Sequence, residues 1–268
     1  MPNGKKQLLG SKWQGILDYH NSEQVARYEN YLGIGLKNNR MAVDSADIRG
    51  IISLTDREKH RISSEIKRVA DRCGLFNKSF SVRFNGYNDG TLMTWNEKDN
   101  TLIISTTEYK INNGMEFCAT RQLLSAIEKL SKKKSMTFYE EYAIESLFHE
   151  NVHSKATKKH PILKGTLDEI ISETCTQLYA REKYVSILEK YGVKSENFDT
   201  IKYSGLGYRR ECNILRSYFE NDGKMQVGEL INIANETESG VKIMLKKFKK
   251  RGMTEKEARR YLIELFRF

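Results

Sequence analysis

Proline is almost absent from this chain. Only Pro2 and Pro161 occur in 268 residues, whereas average usage of ~5% would give about thirteen. Because proline is the residue that interrupts helices most strongly, its scarcity favours a fold built largely from helices.

Disulfide frameworks and membrane spans are also disfavoured. The four cysteines lie far apart and form no C-x-x-C pair: Cys73, Cys118, Cys175 and Cys212. This spacing fits neither a disulfide scaffold nor a cysteine zinc knuckle. No apolar run approaches the ~18 residues of a transmembrane helix, and the first residues lack the apolar region of a secretory signal. We therefore expect a cytoplasmic protein with reduced thiols and no membrane partner.

Positive charge is in excess. Lysine and arginine number 45 against 35 acidic residues, which gives a net charge of +10. The basic residues cluster at 132–134, at 155–159 and most densely at 242–251. No recognition helix, zinc finger or RNA-stacking motif accompanies them, so solvated surface is the favoured interpretation. Nucleic acid bound through the basic C-terminal region remains open as an alternative.

The pattern of caps and apolar residues predicts a mostly helical α+β fold. Capping boxes begin helices at Thr55, Thr137, Thr166 and Thr254, since each threonine is followed three residues later by glutamate. Segments near 80–84, 91–95 and 101–106 are typical of strands and predict a small antiparallel sheet. We divide the chain into a helical N-terminal region (1–75), a core (76–195) and a basic helical C-terminal region (196–268).

One motif within the second of these helices carries chemistry. His149-Glu150-Asn151-Val152-His153 places two imidazoles four residues apart on one helical face, a spacing that can hold one metal ion. Glu150 would lie beside the metal, where its carboxylate can accept a proton from a bound water. A catalytic zinc site uses three protein ligands and keeps one position open, so a third ligand is required.

Acids on the following helix are the best candidates for that ligand. A third histidine six residues after His153 would indicate a metzincin, but that position is Lys159 and His160 is one residue late. Glu169 and Glu173 lie four residues apart on one face of the predicted next helix. One of them can ligate while the other supports a histidine ligand by a hydrogen bond.

These two helices resemble those of the gluzincin metallopeptidases, in which a second helix supplies a glutamate ligand. Glu169-Ile170-Ile171-Ser172-Glu173 is similar to the ligand helix of thermolysin, which carries glutamate, two apolar residues, serine and an acid. The pair also looks like the zincin domain of plasmid antirestriction proteins. The resemblance covers about residues 137–183 and implies a minimal zincin core. It also implies that Glu169 is the third ligand and that Glu173 is the supporting or alternative one.

The resulting expectation is a zinc metallopeptidase. Zn²⁺ held by His149, His153 and Glu169, with Glu150 as general base, would hydrolyse peptide bonds in a narrow range of intracellular protein or peptide substrates. The alternative is a mobile-element or phage-associated factor that binds nucleic acid or protein and has a structural zincin core. Oligomeric state is not predicted by the sequence.

Overall fold

The computed structural model describes residues 48–76, 79–87, 91–110, 116–157, 167–205, 207–222 and 227–266. Most of the predicted N-terminal region, the Thr166 cap and His160 therefore lie outside the described residues. Within the described ranges, none of the helices combines the length and the apolar character needed to cross a bilayer.

The described elements confirm a mostly helical α+β fold. The strands are β1 (Ile48–Ile51), β2 (Ser81–Asn85), β3 (Met93–Asn96), β4 (Thr101–Ser105), β5 (Thr107–Lys110) and β6 (Glu116–Phe117). The helices are α1 (Asp56–Cys73), α2 (Ala119–Ser131), α3 (Phe138–Ser154), α4 (Leu167–Lys183), α5 (Val185–Lys190), α6 (Phe198–Ser204), α7 (Arg209–Asp222), α8 (Val227–Ala234), α9 (Gly240–Lys249) and α10 (Glu255–Phe266).

The strands form two sheets, and one of them differs from the sequence expectation. β2, β4 and β3 are neighbours in that order, with β2 parallel to β4 and β3 antiparallel to it. The sheet is therefore mixed, because β4 inserts between β2 and β3 and prevents them from pairing as a hairpin. A second, antiparallel sheet contains β1, β5 and β6. Its strand β1 lies in the region that the sequence predicted to be helical.

Two of the predicted capping boxes begin the helices that organise the core. Thr55 and Glu58 exchange side-chain and backbone hydrogen bonds at the start of α1. Thr137 and Glu140 do the same at the start of α3, where the Glu140 carboxylate accepts the Thr137 N–H at 2.7 Å. Each box satisfies backbone donors that an uncapped helix would leave without partners, so these helix starts were predictable from the sequence.

Helix α3 lies at the centre of the molecule. Every residue from Phe138 to Val152 is buried, and the helix packs between α2 and α4. Its apolar side chains share one core with α1 and the mixed sheet, through residues such as Ile66, Leu102 and Leu147. A helix buried on all sides normally carries apolar residues all round, so the polar residues of α3 require an explanation.

The C-terminal helices pack on α4 and form a second buried cluster. Ile171, Cys175 and Leu178 of α4 contact apolar side chains of α7 to α10, including Phe248 and Leu262. Helix α4 is thereby packed against α3 on one side and against the C-terminal helices on the other. Both sides of α4 are held in place, which fixes the position of any ligand that it carries.

Candidate metal centre

The histidines of the motif face each other in the interior. Since they are four residues apart on α3, their rings lie one above the other, and their Nε2 atoms are 2.9 Å apart. His149 is 6% exposed and His153 is partly buried. Both rings therefore direct the same nitrogen toward one point beside the helix.

Helix α4 supplies a carboxylate at that point. Glu173 Oε2 lies 3.4 Å from Nε2 of His149 and 3.4 Å from Nε2 of His153. Among the described residues, His149, His153 and Glu173 are the group in which three potential metal ligand atoms lie within 4.8 Å of one another.

The spacing of these three atoms fits a tetrahedral metal ion. Ligands bound to zinc at about 2.0–2.1 Å in a tetrahedron lie about 3.3 Å from one another, close to the separations of 2.9, 3.4 and 3.4 Å. Two imidazole nitrogens and one carboxylate oxygen are also a donor set typical of catalytic zinc. The residues present therefore fit such an ion.

The acid near the histidines is not the one that the sequence favoured. Glu173, and not Glu169, is grouped with the histidines. The reason is the position at which the helices meet, because α4 reaches the imidazoles at its second turn. Its first turn is used elsewhere, since the Asp168 carboxylate accepts hydrogen bonds from the Ser239 hydroxyl and the Val241 N–H at the start of α9.

Electrostatics in the cluster follow from its burial and its charges. Burial alone would lower the pKa of His153, but the carboxylate of Glu173, with Glu150 and Glu236 beyond it, raises that pKa to about 9. Burial would raise the pKa of Glu173, yet the two histidines hold it well below its ordinary value. His153 and Glu173 thus stabilise each other as an ion pair.

Glu150, which the sequence predicted to be the general base, is buried near the cluster. It is 7% exposed, is adjacent to His149 in the chain, and is near enough to His153 for its charge to raise the pKa of that ring. It does not belong to the group of three convergent atoms. Its carboxylate is consequently beside the candidate site rather than among the ligands.

Access to the cluster comes from one side. The exposed fraction of the side chain is 28% for Glu173, 19% for His153 and 8% for His149. The cluster is therefore most open to solvent at Glu173 and His153. His149 lies at the inner end of the site.

A buried polar layer beneath His149 was not predicted from the sequence. Glu145, one turn before His149, is fully buried and accepts a hydrogen bond from Gln177 of α4. Burial raises the pKa of Glu145 to about 7, against the opposing influence of Arg181 and His149. The available signal was a charged residue four positions before a motif histidine, on the same face of the helix.

Comparisons with known proteins add no relative. No protein-family model, no curated protein and no solved structure matches the chain.

Proposed function

We propose that this protein is a metal-dependent hydrolase of the peptidase type, with zinc as the metal. The observation that carries the proposal is the convergence of His149 Nε2, His153 Nε2 and Glu173 Oε2 within 4.8 Å. Glu150 is buried, and its charge raises the pKa of His153, so it lies near this group. The H-E-x-x-H spacing on a helix is typical of zinc peptidases, which favours a peptide bond as the substrate.

Four residues have a role in this proposal. His149, His153 and Glu173 would hold the ion, which when bound supplies a Lewis acid and lowers the pKa of water. Glu150 would accept a proton at its carboxylate and return it to the leaving amine. The partly exposed side of Glu173 and His153 would admit the substrate.

The test is the variant Glu150→Gln, which keeps the shape of the side chain but cannot accept the proton. We expect it to retain metal and to lose turnover by about 10²- to 10⁴-fold, measured by mass spectrometry on a mixed peptide library. The buried Glu141, on the same helix but hydrogen-bonded to Tyr184 and Asn197 instead, provides the control variant Glu141→Gln. Equal cleavage by Glu150→Gln and the parent protein would refute the role of Glu150.

A second candidate function is binding of nucleic acid, and one feature of α9 favours it. Lys242, Lys246 and Lys250 recur every four residues, are exposed, and have no acidic partner within the described part of the chain. Such a row extends about 12 Å along the helix face. It could therefore contact several backbone phosphates.

Salt dependence tests this second function. If all three lysines contact phosphates, replacing them with glutamine should reduce the slope of log affinity against log salt for duplex DNA by about 2.7. The exposed lysines Lys132, Lys133 and Lys134 give a control triple variant with the same change in net charge. Equal slopes for the two triple variants would exclude α9 as the binding surface.

A further inference from the structure

Two buried polar atoms near the metal centre have no hydrogen-bond partner among the described residues. They are Nδ1 of His149 and Oε2 of Glu145. The residues are one turn apart on α3, so their side chains lie on the same face of the helix. Buried polar atoms are almost always hydrogen-bonded, and two orphans so close together indicate a shared partner or each other.

The surroundings of Glu145 hold its carboxylate in place. Gln177 of α4 donates a hydrogen bond to Oε1, which leaves Oε2 as the oxygen without a partner. A buried carboxylate is expensive unless a cation and hydrogen bonds accompany it. Arg181, also fully buried, supplies that cation within electrostatic range of Glu145.

Arg181 is itself fixed by the backbone. Its Nη2 donates hydrogen bonds to the carbonyl oxygens of Gly205, at 2.8 Å, and Gly207. A side chain at Gly205 would meet the guanidinium at 2.9 Å, so the absence of a Cβ allows this close approach. Gln177, by its hydrogen bond, and Arg181, by its charge, thus both support the Glu145 carboxylate.

We propose that Glu145 is a positioning residue that accepts the Nδ1–H of His149 and thereby orients this ring toward the metal. A neutral imidazole carries one N–H, and placing it on Nδ1 leaves the lone pair of Nε2 free to ligate. With Gln177 bound to Oε1, Oε2 of Glu145 is the oxygen left to accept that N–H. This inference rests on the proposed metal site and adds to it the residue that orients the ring of His149.

The first measurement is zinc affinity, determined by competition with a chelating dye. Glu145→Leu should bind zinc about 10–100-fold more weakly than the parent protein, as expected for loss of a group that orients a ligand. Glu145→Gln should lose less, since its amide oxygen can still accept the hydrogen bond. Glu141→Gln, at another fully buried glutamate of α3, should lose stability but keep its zinc affinity.

The second measurement separates orientation of the ring from a general effect on folding. In zinc-loaded protein with ¹⁵N-labelled histidine, NMR should show a slowly exchanging proton on Nδ1 of His149. This signal should persist in Glu141→Gln and disappear in Glu145→Leu. If Glu145→Leu does not fold, a weakened Nδ1 signal in Glu145→Gln would support the role of Glu145, and an unchanged signal would overturn it.

Failure of this inference can be told from failure of the proposed function. A parent protein that binds zinc, with unchanged affinity and unchanged His149 signal in the Glu145 variants, overturns the role of Glu145 alone. A folded parent protein that binds no zinc overturns both.

Discussion

Helices α3 and α9 carry charge in opposite ways. Helix α3 buries Glu140, Glu141, Glu145 and Glu150 together with His149, and the carboxylates lie near cations, hydrogen-bond donors or the imidazoles. Helix α9 buries only uncharged side chains such as Met244 and Phe248 and leaves most of its lysines in solvent. An exposed charged side chain is solvated by water and gains little from a partner, whereas a charged side chain is rarely buried unless it is paired. Helix α3, where charge is buried, is therefore the helix to which we assign the proposed chemistry.

The largest effect on stability should come from removing Arg181, the buried cation near Glu145. Arg181→Met would leave Glu145 without its positive neighbour. It would also leave the carbonyl oxygens of Gly205 and Gly207 without the hydrogen-bond donor that Arg181 provides. We expect the free energy of unfolding to fall by about 3–5 kcal/mol, measured by urea denaturation. The same substitution at the exposed Lys246 should change it by at most about 0.5 kcal/mol. Similar losses in both variants would show that the buried charge of Glu145 on α3 needs no more support than the exposed charge of α9.

The two acids of α4 should differ in their effect on metal binding. Glu173→Ala removes a convergent ligand atom, so zinc affinity should fall by more than the ~10–100-fold expected for a supporting group. Glu169→Ala should reduce the affinity by less than about tenfold. Calorimetric titration of both variants with zinc checks this order. The reverse order would return Glu169 to the ligand position.

A smaller effect should appear as a dependence of stability on pH. Despite its burial, Glu140 has a lowered pKa because Lys129, Ser125 and Thr137 hydrogen-bond its carboxylate. A lowered pKa stabilises the fold above the unfolded value of about 4.3, and this contribution is lost as the pH falls through the folded value. Glu140→Gln should therefore cost about 1–2 kcal/mol at neutral pH and much less near pH 3.

Urea unfolding at both pH values measures this difference. The control is Glu255→Gln on α10, where the side chain is exposed although its pKa is also lowered by Arg259 and Lys249. We expect no measurable dependence there. A pH-independent loss in Glu140→Gln would show that the carboxylate acts by shape rather than by charge.

Local patterns predicted the elements of the site better than their assembly. The capping box at Thr137 and the four-residue spacing of His149 and His153 placed both imidazoles on one face of α3. Both are properties of a single helix and can be read from neighbouring residues. The choice between Glu169 and Glu173 depends on where α4 crosses α3, which is set by packing of side chains distant in sequence.

The same limit explains the sheet and the buried layer. Strands β2, β3 and β4 were predictable from their local sequence, but the parallel pairing of β2 with β4 depends on the path of the chain between them. The partners of Glu145 come from α4, and no local pattern on α3 identifies them. Long-range contacts of this kind require a structure.

The most direct test of the metal centre is the metal content of the purified protein after growth with zinc. We expect about one zinc ion per chain in the parent protein and in Glu150→Gln, and none in His149→Ala or Glu173→Ala, with circular dichroism confirming that each variant is folded. A folded parent protein without metal, or equal zinc in His149→Ala, would contradict the account.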